Sequence, residues 1–272
     1  MEPQNEKTSA ELESDYHATV GDMRGEDGDF VGALGEYKKA AQLNATPQRL
    51  MKLADGYAAV DLPQKAFDLY QRALRAQEEN GAELGDLTEA HIGMGDICCT
   101  FARSAAAVRS YERAVRSQPK KPFYRWKLAV TLATMGLYDK AAAQLEIALE
   151  LSPGDAFYHF QLADVYLLMR RHDDAIKNLE SAVHQAPRDD YYRLRLGAAF
   201  LRLERTQEAV PHFERAVELK PENSSYRTLL RYAYARNHQE PAISVDVEML
   251  ELGPYDEDFV KRIQRMAQPL AA

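Results

Sequence analysis

Seven histidines, at positions 17, 91, 159, 172, 184, 212 and 238, and two adjacent cysteines, Cys98 and Cys99, are the residues best suited to metal or nucleophilic chemistry. Neither set has the spacing such chemistry needs. A zinc site draws on closely spaced ligand pairs, and these histidines are scattered along the chain. Neighbours on a helix point about 100° apart, so the two cysteines read as one core residue and one semi-exposed thiol, not as a disulfide. There is no glycine-rich phosphate loop, no G-x-S-x-G and no H-E-x-x-H. Asp164, Asp173 and Asp174 have no partner placed for acid–base work. The expectation is a non-catalytic chain that needs no metal and no cofactor.

What remains is the chemistry of binding. Residues 157–168, FYHFQLADVYLL, read as a helix with apolar groups on two opposite faces. Leu162 and Tyr166 make an ordinary core stripe one turn apart. Phe157, Phe160, Asp164, Leu167 and Leu168 fall on the other side. A helix facing water on that side would not carry two phenylalanines there. Something covers the second face, and the sequence must be asked what positions it.

The 272 residues are 46% hydrophobic, enough for a sizeable core and far from a disordered composition. No apolar stretch approaches a membrane span. The first residues, MEPQNEKTSAELESD, are acidic, with no secretory apolar region and no lipidation motif. These features point to a soluble, cytoplasmic protein. Net charge is −8; residues 1–30 carry nine acids against Lys7 and Arg24, while residues 188–236 carry nine Arg and one Lys against seven acids. That balance is too weakly basic for nucleic acid to be the expected partner.

Five registers repeat at one period. Pro119, Pro153, Pro187 and Pro221 are 34 residues apart, and so are Ala114, Ala148, Ala182 and Ala216. Ala107, Ala141, Ala175 and Ala209 keep the step. So do Tyr124, Tyr158, Tyr192 and Tyr226, and Met94, Leu128, Leu162, Leu196 and Leu230. Each period holds two helical stripes. In 122–153, Pro122 opens a helix bearing Tyr124, Leu128 and Leu132. Gly136 breaks it, Ala141, Leu145, Ala148 and Leu149 form the second stripe, and Pro153 ends it. One such pair cannot bury its apolar face alone, whereas stacked neighbours can.

The pattern of a Leu-Gly/Ala pair, an aromatic, then Ala, aromatic, Ala and Pro resembles the tetratricopeptide repeat family. It is carried by Leu196, Gly197, Phe200, Ala209, Phe213, Ala216 and Pro221 in one unit and by Met94, Gly95, Cys98, Ala107, Tyr111, Ala114 and Pro119 in another. The resemblance implies an all-α, right-handed superhelical solenoid of paired antiparallel helices. Its repeats are expected at 14–46, 47–80, 88–121, 122–155, 156–189 and 190–223, with a partial one at 224–240. A disordered acidic leader is expected at 1–13 and an insertion at 81–87, read as a longer loop or an extended helix end. Degenerate capping helices are expected at 241–272, with Phe259, Ile263 and Met266 on one face.

In the family, first helices line the concave surface. Carried over, that implies a partner-binding face made of Trp126, Lys127, Val130, Phe157, Phe160, Gln161, Asp164, Tyr191, Arg195 and Arg202. The aromatic members would anchor a partner's peptide or helix, and Lys127, Gln161, Asp164 and Arg195 would orient it. The lysine–asparagine clamp that some members use for acidic C-terminal peptides is missing, since Ile92 with Asp96 and Trp126 with Val130 hold those places. The function implied is a scaffold or adaptor for a protein partner, or alternatively a self-assembling structural scaffold joined through groove or tail. The rings' other possible cover is the chain itself, through tight coiling or its C-terminal helix.

Overall fold

The computed structural model describes residues 7–80 and 88–237, and no strand occurs among them. Within Met1–Met135, one compact body, α1 (Ser9–Glu26) pairs with α2 (Phe30–Leu43) and α3 (Pro47–Ala59) with α4 (Pro63–Asn80). There α5 (Thr88–Thr100) pairs with α6 (Ser104–Ser117), and α7 (Pro122–Thr134) packs on α6. A second compact body, Gly136–Ala272, contains α8 (Tyr138–Leu151), α9 (Ala156–Leu168), α10 (His172–Gln185), α11 (Asp190–Arg202), α12 (Thr206–Leu219) and α13 (Ser224–Asn237). The all-α helical repeat is therefore present, and the helices α5, α7, α9 and α11 start at 88, 122, 156 and 190, 34 residues apart.

Local chemistry sets the helix ends. Thr8, Asp29, Thr46, Asp155 and Asp189 cap first turns with side-chain oxygens, and Pro47 and Pro122 sit in first turns where no amide hydrogen is needed. In the turns that follow α1, α3, α5, α7, α9 and α11 one residue takes a left-handed conformation: Gly28, Asp61, Ala102, Gly136, Arg170 and Glu204. Positions 102, 136, 170 and 204 recur at the repeat period. The residue after each of several of these donates its amide back across the turn, as Arg103 N–H does to Cys98 O at 2.8 Å and Arg171 N–H to Tyr166 O at 2.8 Å. This is the helix-ending pattern that usually selects glycine. Only Gly28 and Gly136 follow that rule here, so the other turns hold mild backbone strain.

The expected leader needs correction. Helix α1 starts at Ser9, inside the stretch 1–13, because Thr8 and Glu11 form a reciprocal capping box. Residues 1–6, the insertion 81–87 and the capping stretch 241–272 lie outside the described residues. Helix α4 runs 18 residues against 14 in α6, α8, α10 and α12, so the helix before the insertion is extended as far as Asn80.

Small residues bring the backbones together. Ala66, Ala73, Ala107, Ala114, Ala141, Ala148, Ala175, Ala182, Ala209 and Ala216 are all fully buried. Glycine does the same on the first helix of a pair. A Cβ on Gly95 would lie 2.4 Å from the Tyr111 ring, and one on Gly197 2.9 Å from Phe213. Both rings are buried, so neither can step aside without moving the core.

Two substitutions follow with opposite signs. Gly95→Ala gains about 1 kcal/mol of helix propensity but overpacks the Tyr111 ring at a cost of about 1–3 kcal/mol, so its urea midpoint should fall. Ala102→Gly relieves about 1–2 kcal/mol of left-handed strain and loses about 0.4–1 kcal/mol to unfolded-chain entropy, so its midpoint should rise. A rise for Gly95→Ala would show that the ring does not rest on the α5 backbone.

Candidate functional site

The residues expected on the binding face fall into both compact bodies: Trp126, Lys127 and Val130 in the first, and Phe157, Phe160, Gln161, Asp164, Tyr191, Arg195 and Arg202 in the second. The structure gives Lys127 in the first body, and Asp164 and Arg195 in the second, a defined partner within the same body.

In the first body, Lys127 on α7 reaches back to Asp96 on α5 at 2.9 Å, and Asp96 also accepts from the Tyr111 hydroxyl at 2.5 Å. The same arrangement occurs earlier, where Lys52 on α3 pairs with Asp22 on α1 and Tyr37 donates to Asp22 at 2.9 Å. In the second body Arg195 on α11 pairs with Asp164 on α9. The separations are 30, 31 and 31 residues, so these are links from one repeat's first helix to the next. Their environments differ. The Arg195 and Asp164 side chains are 0% and 2% exposed, against 25% and 45% for Lys127 and Asp96. In that register Val130 and Gln161 occupy the places of the acid and the base, so the repeat pattern puts no charges there.

The second face of α9 is built against α11. The Phe160 ring packs on Tyr191 and Tyr192 with centroids 5.5 and 5.2 Å apart, and the Arg195 guanidinium lies 5.2 Å over it. Arg195 also donates to the Tyr191 hydroxyl at 3.0 Å. Burial is continuous from Leu162 to Leu167 on α9 and from Leu194 to Leu201 on α11, so both helices are covered on every side there. Phe160, Asp164 and Arg195 thus contribute to joining repeats inside this body. Phe157, Gln161 and Tyr191 are half-buried and Arg202 is exposed.

Helix α7 differs. Phe123 is 43% exposed, its ring lies 5.4 Å from that of Trp126, and Trp126 and Val130 are half-buried. The Lys127 ammonium sits 5.6 Å from the Phe123 centroid and 5.7 Å from that of Trp126 while it holds Asp96. Two rings with a cation fixed beside them form a platform that offers flat apolar area and a charge in known geometry. Phe123, one turn before Lys127 on the same helix, belongs to the inner-face positions that the family resemblance implies for this unit.

The histidines and cysteines that are described have internal surroundings. Burial, with Arg113 and Arg116 nearby, pulls His91 down to about 4. His17 bonds Glu36 at 2.6 Å, and His159 bonds Asn178 at 3.1 Å. Cys98 is buried and Cys99 exposed, its sulfur 3.7 Å from the Tyr111 and Thr131 hydroxyls. Among the described residues no three His, Cys, Asp or Glu side chains come together as a metal site would require, and no helix is long and apolar enough to cross a membrane.

Comparison with known proteins agrees with this geometry. Residues 101–156 and 160–224 match the family model described as tetratricopeptide repeat. Curated protein sequences give no match. Among solved structures, PilF of Pseudomonas aeruginosa aligns with 82% of this chain and 99% of its own at 16% identity and TM-score 0.64. MamA aligns with 63% of this chain and 91% of its own at 22% identity and TM-score 0.55. YrrB, described as having an unusual peptide-binding site, aligns with 63% and 85% at 23% identity and TM-score 0.51. At these identities the likeness concerns the fold.

The two kinds of ion pair can be separated by stability. Asp164→Leu leaves the buried Arg195 without its carboxylate and should cost about 3–5 kcal/mol in urea unfolding, and adding Arg195→Met should recover most of that. Lys127→Met should cost at most about 1 kcal/mol, because its pair is half in water. Equal losses for Asp164→Leu and Lys127→Met would contradict the assigned burial.

Proposed function

Because the chain is a tetratricopeptide-repeat protein, we propose that it is a non-catalytic scaffold that binds a protein partner, with the α7 platform as a principal contact. The observation that supports this is the Phe123–Trp126–Lys127 cluster. Aromatic rings with a cation are the groups that dominate interface energetics, and here two rings keep solvent exposure on a helix whose core face is already filled by Tyr124, Leu128 and Leu132. The occupant in this reading is an extended peptide or an amphipathic helix whose apolar side chains lie on the rings. Lys127 fixes its direction by its charge. In the second body the half-buried Phe157, Gln161 and Tyr191 and the exposed Arg202 are the expected positions that a partner would reach first.

A second reading, self-assembly, is favoured by one separate observation. Leu12, Tyr16 and Met23 share one stripe of α1 and are 57%, 64% and 60% exposed. A solvent-facing repeat surface normally presents polar residues, and a stripe of this kind marks a contact surface.

Selection of random peptides displayed on phage tests the first reading on the purified full chain. Peptides with aromatic or aliphatic anchors should be enriched. Phe123→Ala/Trp126→Ala, with unchanged helicity, should bind them about thirtyfold more weakly, which corresponds to about 2 kcal/mol for lost anchors. Failure to enrich any peptide, or equal binding by the variant, would remove α7 as the contact. Sedimentation velocity over a hundredfold concentration range addresses the second reading. Mass that grows with concentration and reverts to monomer in Leu12→Glu/Tyr16→Glu supports self-assembly, and a monomer throughout rejects it.

A further inference from the structure

The amino-terminal body has a cavity of ≈420 Å3 between α1, α2 and α3. Three carboxylates face it, Asp22, Glu26 and Asp55, with the Tyr37 ring as one wall and Phe30, 48% exposed, at its rim. Gly56 keeps it open, since a Cβ there would lie 2.9 Å from the Tyr37 ring. One cation of the chain already serves the cavity: Lys52 pairs with Asp22 and lies 6.0 Å from the Tyr37 centroid, which leaves Asp55 and Glu26 as the carboxylates without an ion pair among the described residues. The other nearby cations are engaged elsewhere: Arg24 turns to Asp29 at 3.3 Å, and Lys38 and Lys65 sit 5.2 and 5.4 Å from the Tyr57 centroid.

The chain itself shows what such a carboxylate holds. Where an aspartate on a first helix meets a tyrosine of the second, the next repeat supplies a lysine: Lys52 to Asp22–Tyr37 and Lys127 to Asp96–Tyr111. Asp55 with Tyr70 is the third such pair. Its lysine register, one 34-residue step before Lys127, is occupied by Gly93, and a Cβ there would lie 2.4 Å from the Tyr70 ring. The close approach of α5 leaves no room for a lysine from that helix. Among the described residues Asp55 accepts from Tyr70 and forms no ion pair. Burial, with Glu89 and Asp22 nearby, holds its carboxyl above the usual aspartate range, while Tyr70 and Lys52 pull the other way. An added cation would oppose that rise.

We propose that this cavity receives a lysine or arginine side chain of a partner protein, its charge against Asp55 and Glu26 and its aliphatic stem against Tyr37 and Phe30. A carboxylate pair satisfies the cation, and the aromatic walls favour it further through their ring faces. This site is separate from the α7 platform, so either can fail without the other.

The test uses the 15N-labelled full chain titrated with Nα-acetyl-arginine N-methylamide and Nα-acetyl-lysine N-methylamide, with the acetyl-norleucine analogue as the uncharged control. The amides of Gly25 and Gly56 report on the cavity. The cationic probes should shift them saturably, with affinity on the order of millimolar, weakened by added salt. The norleucine analogue should not saturate. Asp55→Asn/Glu26→Gln should weaken the cationic probes about tenfold or more. Glu26 is exposed, so Glu26→Gln alone keeps the fold and should still weaken them measurably. Phe123→Ala/Trp126→Ala should leave these shifts unchanged. The proposal is overturned if no probe saturates, if norleucine saturates equally, or if Glu26→Gln binds like wild type.

Discussion

Alanine at the helix crossings is the constraint from which the rest follows. Ala107 and Ala114, like Ala175 and Ala182, are fully buried, so only a methyl group stands at these crossings. Larger residues, Tyr111 or Leu179, then fill the space beside them. A pair built this way shows an apolar face on both sides, and only the next pair covers it. The helix length, 13 residues for α5, α7, α9 and α11, is tied to that arrangement by the left-handed turn residue that follows each of them. Most of these turns use a residue other than glycine. Packing on both flanks therefore outweighs about 1–2 kcal/mol of local strain at each.

Charge on the same helices has two uses, distinguished by exposure. Arg195 is enclosed by Asp164, Phe160 and Tyr191 and ties α9 to α11. Lys127 ties α7 to α5 but keeps a quarter of its side chain in water and lies beside two accessible rings. Burying an ion pair costs desolvation that its attraction only partly returns, and the enclosed pair links α9 to α11 at that cost. The half-exposed pair keeps a positive charge partly in water.

Much of this was legible in the residues. The 34-residue step, the alanine rows, the breaking role of Gly136 and the opening role of Pro122 all appear in the structure where the pattern put them. These features depend on local sterics and on period, which a sequence carries explicitly. The covering of Phe160 was harder to read, because Tyr191, Tyr192 and Arg195 lie a whole repeat away and their approach depends on how closely α9 and α11 pack. For the same reason Asp164 and Arg195 looked like separate polar points. Their 31-residue separation, shared with Asp96 and Lys127, was the signal. The start of α1 at Ser9 was hidden by the acidic composition of the leader, although Thr8 and Glu11 spell a capping box.

The most direct test of the account is acrylamide quenching of Trp126, the one tryptophan in the chain, with and without a saturating peptide selected on the full protein. Its ring is half-buried beside the exposed Phe123. Quenching should therefore be intermediate in the free protein and fall towards that of an enclosed indole when the peptide binds. Emission that acrylamide barely touches in the free protein, or quenching that the bound peptide leaves unchanged, would contradict the placement of a partner on α7.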